Sequence, residues 1–167
     1  MDTATPSFRI GVLTLSDKGA VGQREDESGR LLSQMASELG EVVCYEILPD
    51  DLQQISHLLA SWADSRRLDL ILTTGGTGLS PRDVTPEATQ AIIERSVPGL
   101  AEAMRLESLK KTPHAMLSRG IAGIRGETLI INLPGSPRAV RENFAVTIPA
   151  LKHGLAKLAG DPADCAS

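Results

Sequence analysis

Three short β-branched stretches alternate with two amphipathic ones in the first half of the chain, and that alternation leaves few folds open. Phe8-Arg-Ile-Gly-Val-Leu-Thr-Leu15, Glu41-Val-Val-Cys-Tyr-Glu-Ile-Leu48 and Asp69-Leu-Ile-Leu-Thr73 have the length and residue types of strands. Between them, Arg30 to Leu39 sets Leu31, Leu32, Met35, Ala36 and Leu39 on one stripe, and Leu52 to Ala63 does the same with Ile55, Leu58, Leu59 and Trp62. That spacing is the 3.6-residue period of a helix. Strand, helix, strand, helix, strand predicts a layered α/β fold with a mainly parallel sheet.

The second half adds capping signals. Pro86 to Arg95 is predicted helical, with Thr85 as N-cap and proline at the first helical position. A further helix runs from Gly99 to Lys111, where Pro113 stops it. Ile121 to Ile124 and Thr128 to Leu133 flank Arg125-Gly126-Glu127, the pattern of a hairpin, which makes the sheet partly mixed. The last helix starts after Ser136-Pro137 and reaches Leu158, with Pro149 as the place for a kink. Residues 8–158 read as one domain, and 1–7 and 159–167 as flexible ends.

Composition narrows the function. With a net charge of −4 and only four aromatic residues, Phe8, Tyr45, Trp62 and Phe144, the chain lacks the basic footprint and the stacking platform of a nucleic-acid binder. Cys44 and Cys165 have no metal-type spacing, and no apolar run is long enough for a membrane span, so a cytoplasmic protein is expected. His57, His114 and His153 have no Ser or Cys partner at a triad-like spacing and are assigned to surface or core.

In open α/β sheets, ligands bind beyond the carboxyl ends of the strands. Four loops qualify: Ser16 to Gly29, Pro49 to Asp51, Thr74 to Thr85 and Asn132 to Ser136. Thr74-Gly75-Gly76-Thr77-Gly78 lacks the Gly-Lys-Ser/Thr ending of a P-loop, and a dinucleotide fingerprint read from Gly76 would put its third glycine on Pro81. A tight structural turn and an anion cradle of backbone N–H groups both fit it. Asp50 and Asp83 each stand between a strand and a helix; each suits a helix cap, and together they suit two hard ligands of Mg²⁺ on a nucleotide's phosphates. Asn132-Leu-Pro134-Gly135-Ser136 is equally a capped loop and a phosphate site. Ser28 is a cap or a ligand. Lys110, Lys111, Arg119 and Arg125 form either another phosphate site or a solvated face.

Taken in order, "TLSDKGAVGQREDESG", "ILPD", "TTGGTGLSPRDVTPEAT", "ESLKKTPHAMLSR" and "LIINLPGSPRAV" resemble the molybdopterin-binding family of bacterial MogA and MoaB and of the G domains of plant Cnx and animal gephyrin. The likeness covers roughly residues 8 to 158 and all four loops. "PRDVTPEAT" points to the MogA and G-domain branch. The resemblance implies a three-layer α/β/α sandwich, a homotrimer, and molybdopterin adenylyltransferase activity in molybdenum-cofactor synthesis, with ATP and molybdopterin as substrates and Mg²⁺ as cofactor. It implies Asp50 and Asp83 as catalytic and metal-binding acids. The nucleotide and pterin pocket would be lined by Thr74, Gly75, Gly76, Thr77 and Gly78. Asn132, Pro134, Gly135 and Ser136 would lie on the nucleotide side, and Ser108 and Ser118 at the pterin or its phosphate. Ser16 and Asp17 match the family's first-strand loop. Molybdenum insertion would fall to a separate MoeA-like partner. The alternatives are a MoaB-like protein that binds molybdopterin without catalysis, and a nucleotide hydrolase.

Overall fold

The computed structural model describes residues 8–162; residues 1–7 and 163–167, which hold most of the expected flexible ends and Cys165, lie outside them. Six strands form one sheet in the order β2-β1-β3-β6-β5-β4: β1 (Phe8–Leu15), β2 (Gly40–Leu48), β3 (Leu70–Thr74), β4 (Arg95–Ser96), β5 (Ala122–Arg125) and β6 (Thr128–Leu133). β2, β1, β3 and β6 run parallel, and β5 and β4 are added antiparallel. The expected hairpin is the β5–β6 pair, turning at Gly126.

Strand alternation sorts the core into two halves. On β3, Leu70 and Leu72 point to one face and Ile71 to the other; on β6, Leu129, Ile131 and Leu133 oppose Ile130. The first face is covered by α2 (Glu27–Ala36), α5 (Pro98–Leu109) and α6 (Pro137–Leu158) through Leu32, Met104, Val140 and Phe144. The second is covered by α3 (Leu52–Asp64) and α4 (Thr85–Gln90) through Ile55, Leu59, Trp62 and Ala88. Every residue of β3 and β6 is buried, because both faces of the central strands are covered. This is the three-layer α/β/α sandwich, with its parallel sheet mixed at one edge.

Three elements were not anticipated, one of them a 3-10 turn at Pro113–Leu117 that follows α5. A single helical turn, α1 (Asp17–Ala20), follows β1, capped by Ser16 Oγ accepting from the Gly19 amide at 3.0 Å. The two-residue edge strand β4 takes the place of the end of the predicted 86–95 helix. α4 stops at Gln90 because the chain beyond it pairs with β5: the Glu94 amide donates to the Ile124 carbonyl at 2.8 Å and the Val97 amide to the Ala122 carbonyl at 2.9 Å. Thr85 is not the cap of α4 but its first residue, and Val84 in the cap position makes no side-chain cap bond. α6 runs uninterrupted through Pro149; Ala145 and Pro149 are both exposed, so the carbonyl that the proline leaves unpaired faces water.

β2 and β3 lie on opposite sides of β1, so the crossover from β1 to β2 and the one from β2 to β3 run in opposite directions across the sheet. Between β1 and β3 the sheet therefore has a switch point, where the loops part and leave a crevice.

Gly11 sits where β1 passes under α3. A Cβ there would lie 2.6 Å from Leu68 Cδ1 and 2.7 Å from Trp62 Cε3, both fully packed. Gly11→Ala is expected to cost about 2 kcal/mol by overpacking, read as a lower urea midpoint at unchanged m-value; an unchanged midpoint would contradict this packing.

Candidate active site

The carboxyl ends of β1, β2, β3 and β6 surround a cleft of about 650 Å³ at the switch point. Its lining includes Ser16 and Asp17 after β1, Asp50 after β2, Thr74, Gly75, Gly76 and Asp83 after β3, and Gly135 and Ser136 after β6. Nine of the expected site residues thus meet in one place.

Hydroxyl groups hold the loops together. Thr74 Oγ1 donates to the Pro134 carbonyl at 2.7 Å, Ser28 Oγ to the Gly135 carbonyl at 2.7 Å and Thr85 Oγ1 to the Gly75 carbonyl at 2.9 Å. Ser28 is therefore a tether; the cap of α2 is Asp26, which accepts from the Gly29 amide at 2.8 Å. Gly75 and Gly76 have φ of 97° and 66°, a conformation that side chains strain against. A Cβ on Gly76 would also fall 2.2 Å from Thr85 Oγ1 and 3.0 Å from Asp50 Oδ1. The glycines let the loop turn back against the acid.

The two readings of Asp50 separate here. The cap of α3 is its neighbour Asp51, whose Oδ1 accepts from the Gln54 amide at 2.9 Å. Asp50 is left free of the helix: Oδ2 accepts from the Asp17 amide at 3.3 Å, and Oδ1 is the one buried side-chain polar atom among the described residues with no hydrogen-bond partner. Asp83 accepts from the Ser80 amide through Oδ2 at 3.0 Å. Its loop is clamped from outside by Arg119, which donates to the Gly78 carbonyl at 2.7 Å and the Asp83 carbonyl at 2.7 Å and pairs with Glu87.

A second cavity of about 200 Å³ lies beside the first and holds Ser108, Ser118, Asn132 and Pro134 in its lining. Asn132 is buried, and its amide is committed: Nδ2 donates to Thr73 Oγ1 and Thr89 Oγ1 at 3.0 Å each, and Oδ1 accepts from the Ile121 amide at 3.2 Å. Thr77 and Gly78 line neither cavity; Thr77 is buried and its carbonyl accepts from the Arg119 amide at 2.9 Å. The basic cluster disperses into separate ion pairs, Lys110 with Glu107, Lys111 with Glu142, Arg119 with Glu87 and Arg125 with Asp64.

A family model described as "Probable molybdopterin binding domain" matches residues 11–153. The chain belongs to that family. A molybdopterin adenylyltransferase of Helicobacter pylori is 42% identical over 158 residues, covering 93% of this chain and 90% of the relative. A gephyrin of Dictyostelium discoideum is 43% identical over 92% of this chain, which spans only 23% of that protein's length. The crystal structure of the molybdopterin biosynthesis enzyme MoaB from Thermus thermophilus superposes with a TM-score of 0.87 at 52% identity, covering 93% of this chain and 98% of that one. No helix among the described residues is long and apolar enough to cross a membrane.

In this molybdopterin-binding domain the cleft acids do not share one environment. Asp26 lines the cleft but is saturated, its Oδ2 accepting from Thr14 Oγ1 at 2.6 Å and from the Tyr45 hydroxyl. Burial and that carboxylate raise the Tyr45 phenol, which stays protonated. Asp17 is held below the usual carboxylate range by the Arg82 guanidinium and the Asp50 amide. Asp50 is pushed above it, first by burial and then by the charges of Asp17 and Asp83. A raised carboxylate binds more protons folded than unfolded, so its charge costs stability as pH rises through the shifted value. Asp50→Asn keeps an oxygen for the Asp17 amide and removes that charge. The melting temperature of this variant at pH 7.5 is expected to equal or exceed that of the parent by up to about 2 °C. The advantage should fade as the pH falls toward the ordinary carboxylate value of 3.8. A clear loss of stability at pH 7.5 would show that the Asp50 charge is compensated in the fold.

Proposed function

We propose that the chain is a molybdopterin adenylyltransferase: an oxygen of the terminal phosphate of molybdopterin attacks the α-phosphorus of ATP, the bond to the β-phosphate breaks, and pyrophosphate leaves. The observation that carries the reading is the unpartnered, buried Oδ1 of Asp50 in the cleft that also holds Asp83, at the crevice where α/β sheets bind nucleotides. An acceptor kept dry and unpaired costs stability, and function is what compensates such a group. The Helicobacter pylori relative named molybdopterin adenylyltransferase, matched over 90% of its length, supports the same reading.

A phosphate monoester has a second pKa of about 6 and is mostly a dianion at neutral pH, so it attacks without a base. The chain's task is then alignment and charge compensation. The backbone around Gly75 and Gly76 approaches the ligand without side chains, the loop of Gly135 and Ser136 closes the nucleotide side, and the smaller cavity with Ser108 and Ser118 takes the pterin end. Among the described residues no three His, Cys, Asp or Glu side chains converge to hold a metal by themselves. Two carboxylates and no protein cage fit Mg²⁺, which takes its remaining ligands from phosphates and water. Bound at Asp50 and Asp83, Mg²⁺ would neutralise the nucleotide's charge.

On this reading the chain acts as a homotrimer in the cytoplasm and passes its product to a MoeA-like molybdenum-insertion protein, as the family resemblance implies; light scattering on the purified chain tests the trimer. Asp83→Asn, which keeps an oxygen for the Ser80 amide, is expected to lower pyrophosphate release roughly hundredfold or more while molybdopterin affinity stays within about twofold. Full turnover in this variant, or equal loss of binding and turnover, would refute the assigned role of Asp83. Molybdopterin binding by the parent with no pyrophosphate release would make the protein a carrier instead.

A further inference from the structure

The charged residues in the lining of the large cleft are Asp17, Glu25, Asp26, Glu27, Asp50 and Asp83 against Lys18 and Arg24. Both cations come from the wall after β1. The loop after β3, residues 75–84, adds Gly75, Gly76 and Asp83 to the lining and contains one cation, Arg82, which stands just outside that lining. Its guanidinium is turned onto Asp17 in a fork, Nε to Oδ2 at 3.0 Å and Nη2 to Oδ1 at 2.8 Å. The pair ties the β3 loop to the β1 loop beside both acids of the site. Asp83 follows Arg82 directly in sequence, and the Asp50 amide donates to the same Asp17 Oδ1 at 3.0 Å.

Two properties make this contact exchangeable. Both side chains are well exposed, 63% for Arg82 and 44% for Asp17, so the pair gains little in water. The fork is also the geometry in which arginine binds phosphate, and a polyphosphate offers more charge than one carboxylate. We propose that Arg82 is the nucleotide-phosphate ligand of the β3 loop, held at the cleft's edge by Asp17 in the free protein and transferred from that carboxylate to the phosphates of ATP as they bind. Asp17 then acts as a competitor that the ligand must displace, and a nucleoside without phosphates cannot displace it. The proposal rests on the reading of this cleft as an ATP site.

The test is calorimetric titration of the full chain with ATP in Mg²⁺ buffer, for the parent, Asp17→Asn, Arg82→Gln and the double variant. Both positions are exposed, and the amide introduced by Asp17→Asn keeps an oxygen for the Asp50 amide, so folding is preserved. Arg82→Gln is expected to weaken ATP binding about tenfold or more, the scale of a charged hydrogen bond. Asp17→Asn is expected to tighten it by up to about fivefold, the scale of an exposed ion pair. In the Arg82→Gln background the Asp17 substitution should change nothing, because no guanidinium is left to release. Equal tightening in both backgrounds would reduce Asp17 to simple repulsion and overturn the proposal, as would weakening by Asp17→Asn or unchanged affinity in Arg82→Gln. If the cycle holds but no variant releases pyrophosphate with molybdopterin present, the transferase reading fails and the exchange stands. If the parent does not bind ATP at all, both fail.

Discussion

When β3 and β6 end inside the protein, their last carbonyls and those of the loops beyond them must find donors, because an unpaired polar group buried there costs as much as a lost hydrogen bond. Side-chain hydroxyls supply them. Thr74 bonds the Pro134 carbonyl, Ser28 the Gly135 carbonyl and Thr85 the Gly75 carbonyl, while the Gly75 amide donates to Leu133. Each bond joins loops from different strands or a loop to the helix that follows it. The cleft has fixed walls because the backbone around it is satisfied by residues that arrive from elsewhere in the chain.

Against that background, saturation rather than composition separates the acids of the cleft. Asp26 and Asp50 both line the cleft. Asp26 accepts from an amide, a threonine and a tyrosine, and in doing so starts α2 and ties it to β1 and β2. Asp50 could have been used in the same way on α3, but Asp51 takes that role and leaves Asp50 Oδ1 buried with nothing to accept. A neighbouring acid frees Asp50 from the cap and leaves it to the cleft.

Much of this was legible in the sequence, and the failures share a cause. β1, α2, β2, α3 and β3 follow from apolar period, and the hairpin from its turn, since both signals are local. The α4 helix started where Thr85-Pro86 announced it, but its end is set by β5, some thirty residues away, so no local stop signal could place it. Thr85 looked like a cap because a threonine before proline usually is one; its hydroxyl is spent on Gly75, a contact across the loop. The four basic residues read as a cluster because they are near one another in sequence, whereas each finds a carboxylate of its own. The Arg82–Asp17 fork spans 65 residues and left no mark on either local stretch.

The two cavities share a wall, and the wall explains why five separated motifs occur together. The end of β6 supplies Asn132 and Pro134 to the small cavity, and the next residues, Gly135 and Ser136, to the large one. Residues 118–120 link the small cavity to the loop of Asp83 as well. Ser118 and Gly120 line the small cavity, with their carbonyls held by Arg105 Nη1, and Arg119 between them holds the Gly78 and Asp83 carbonyls of the loop that carries Asp83 into the large one. The loop of Asp83 is thus held from the side of the small cavity, through the one guanidinium of Arg119.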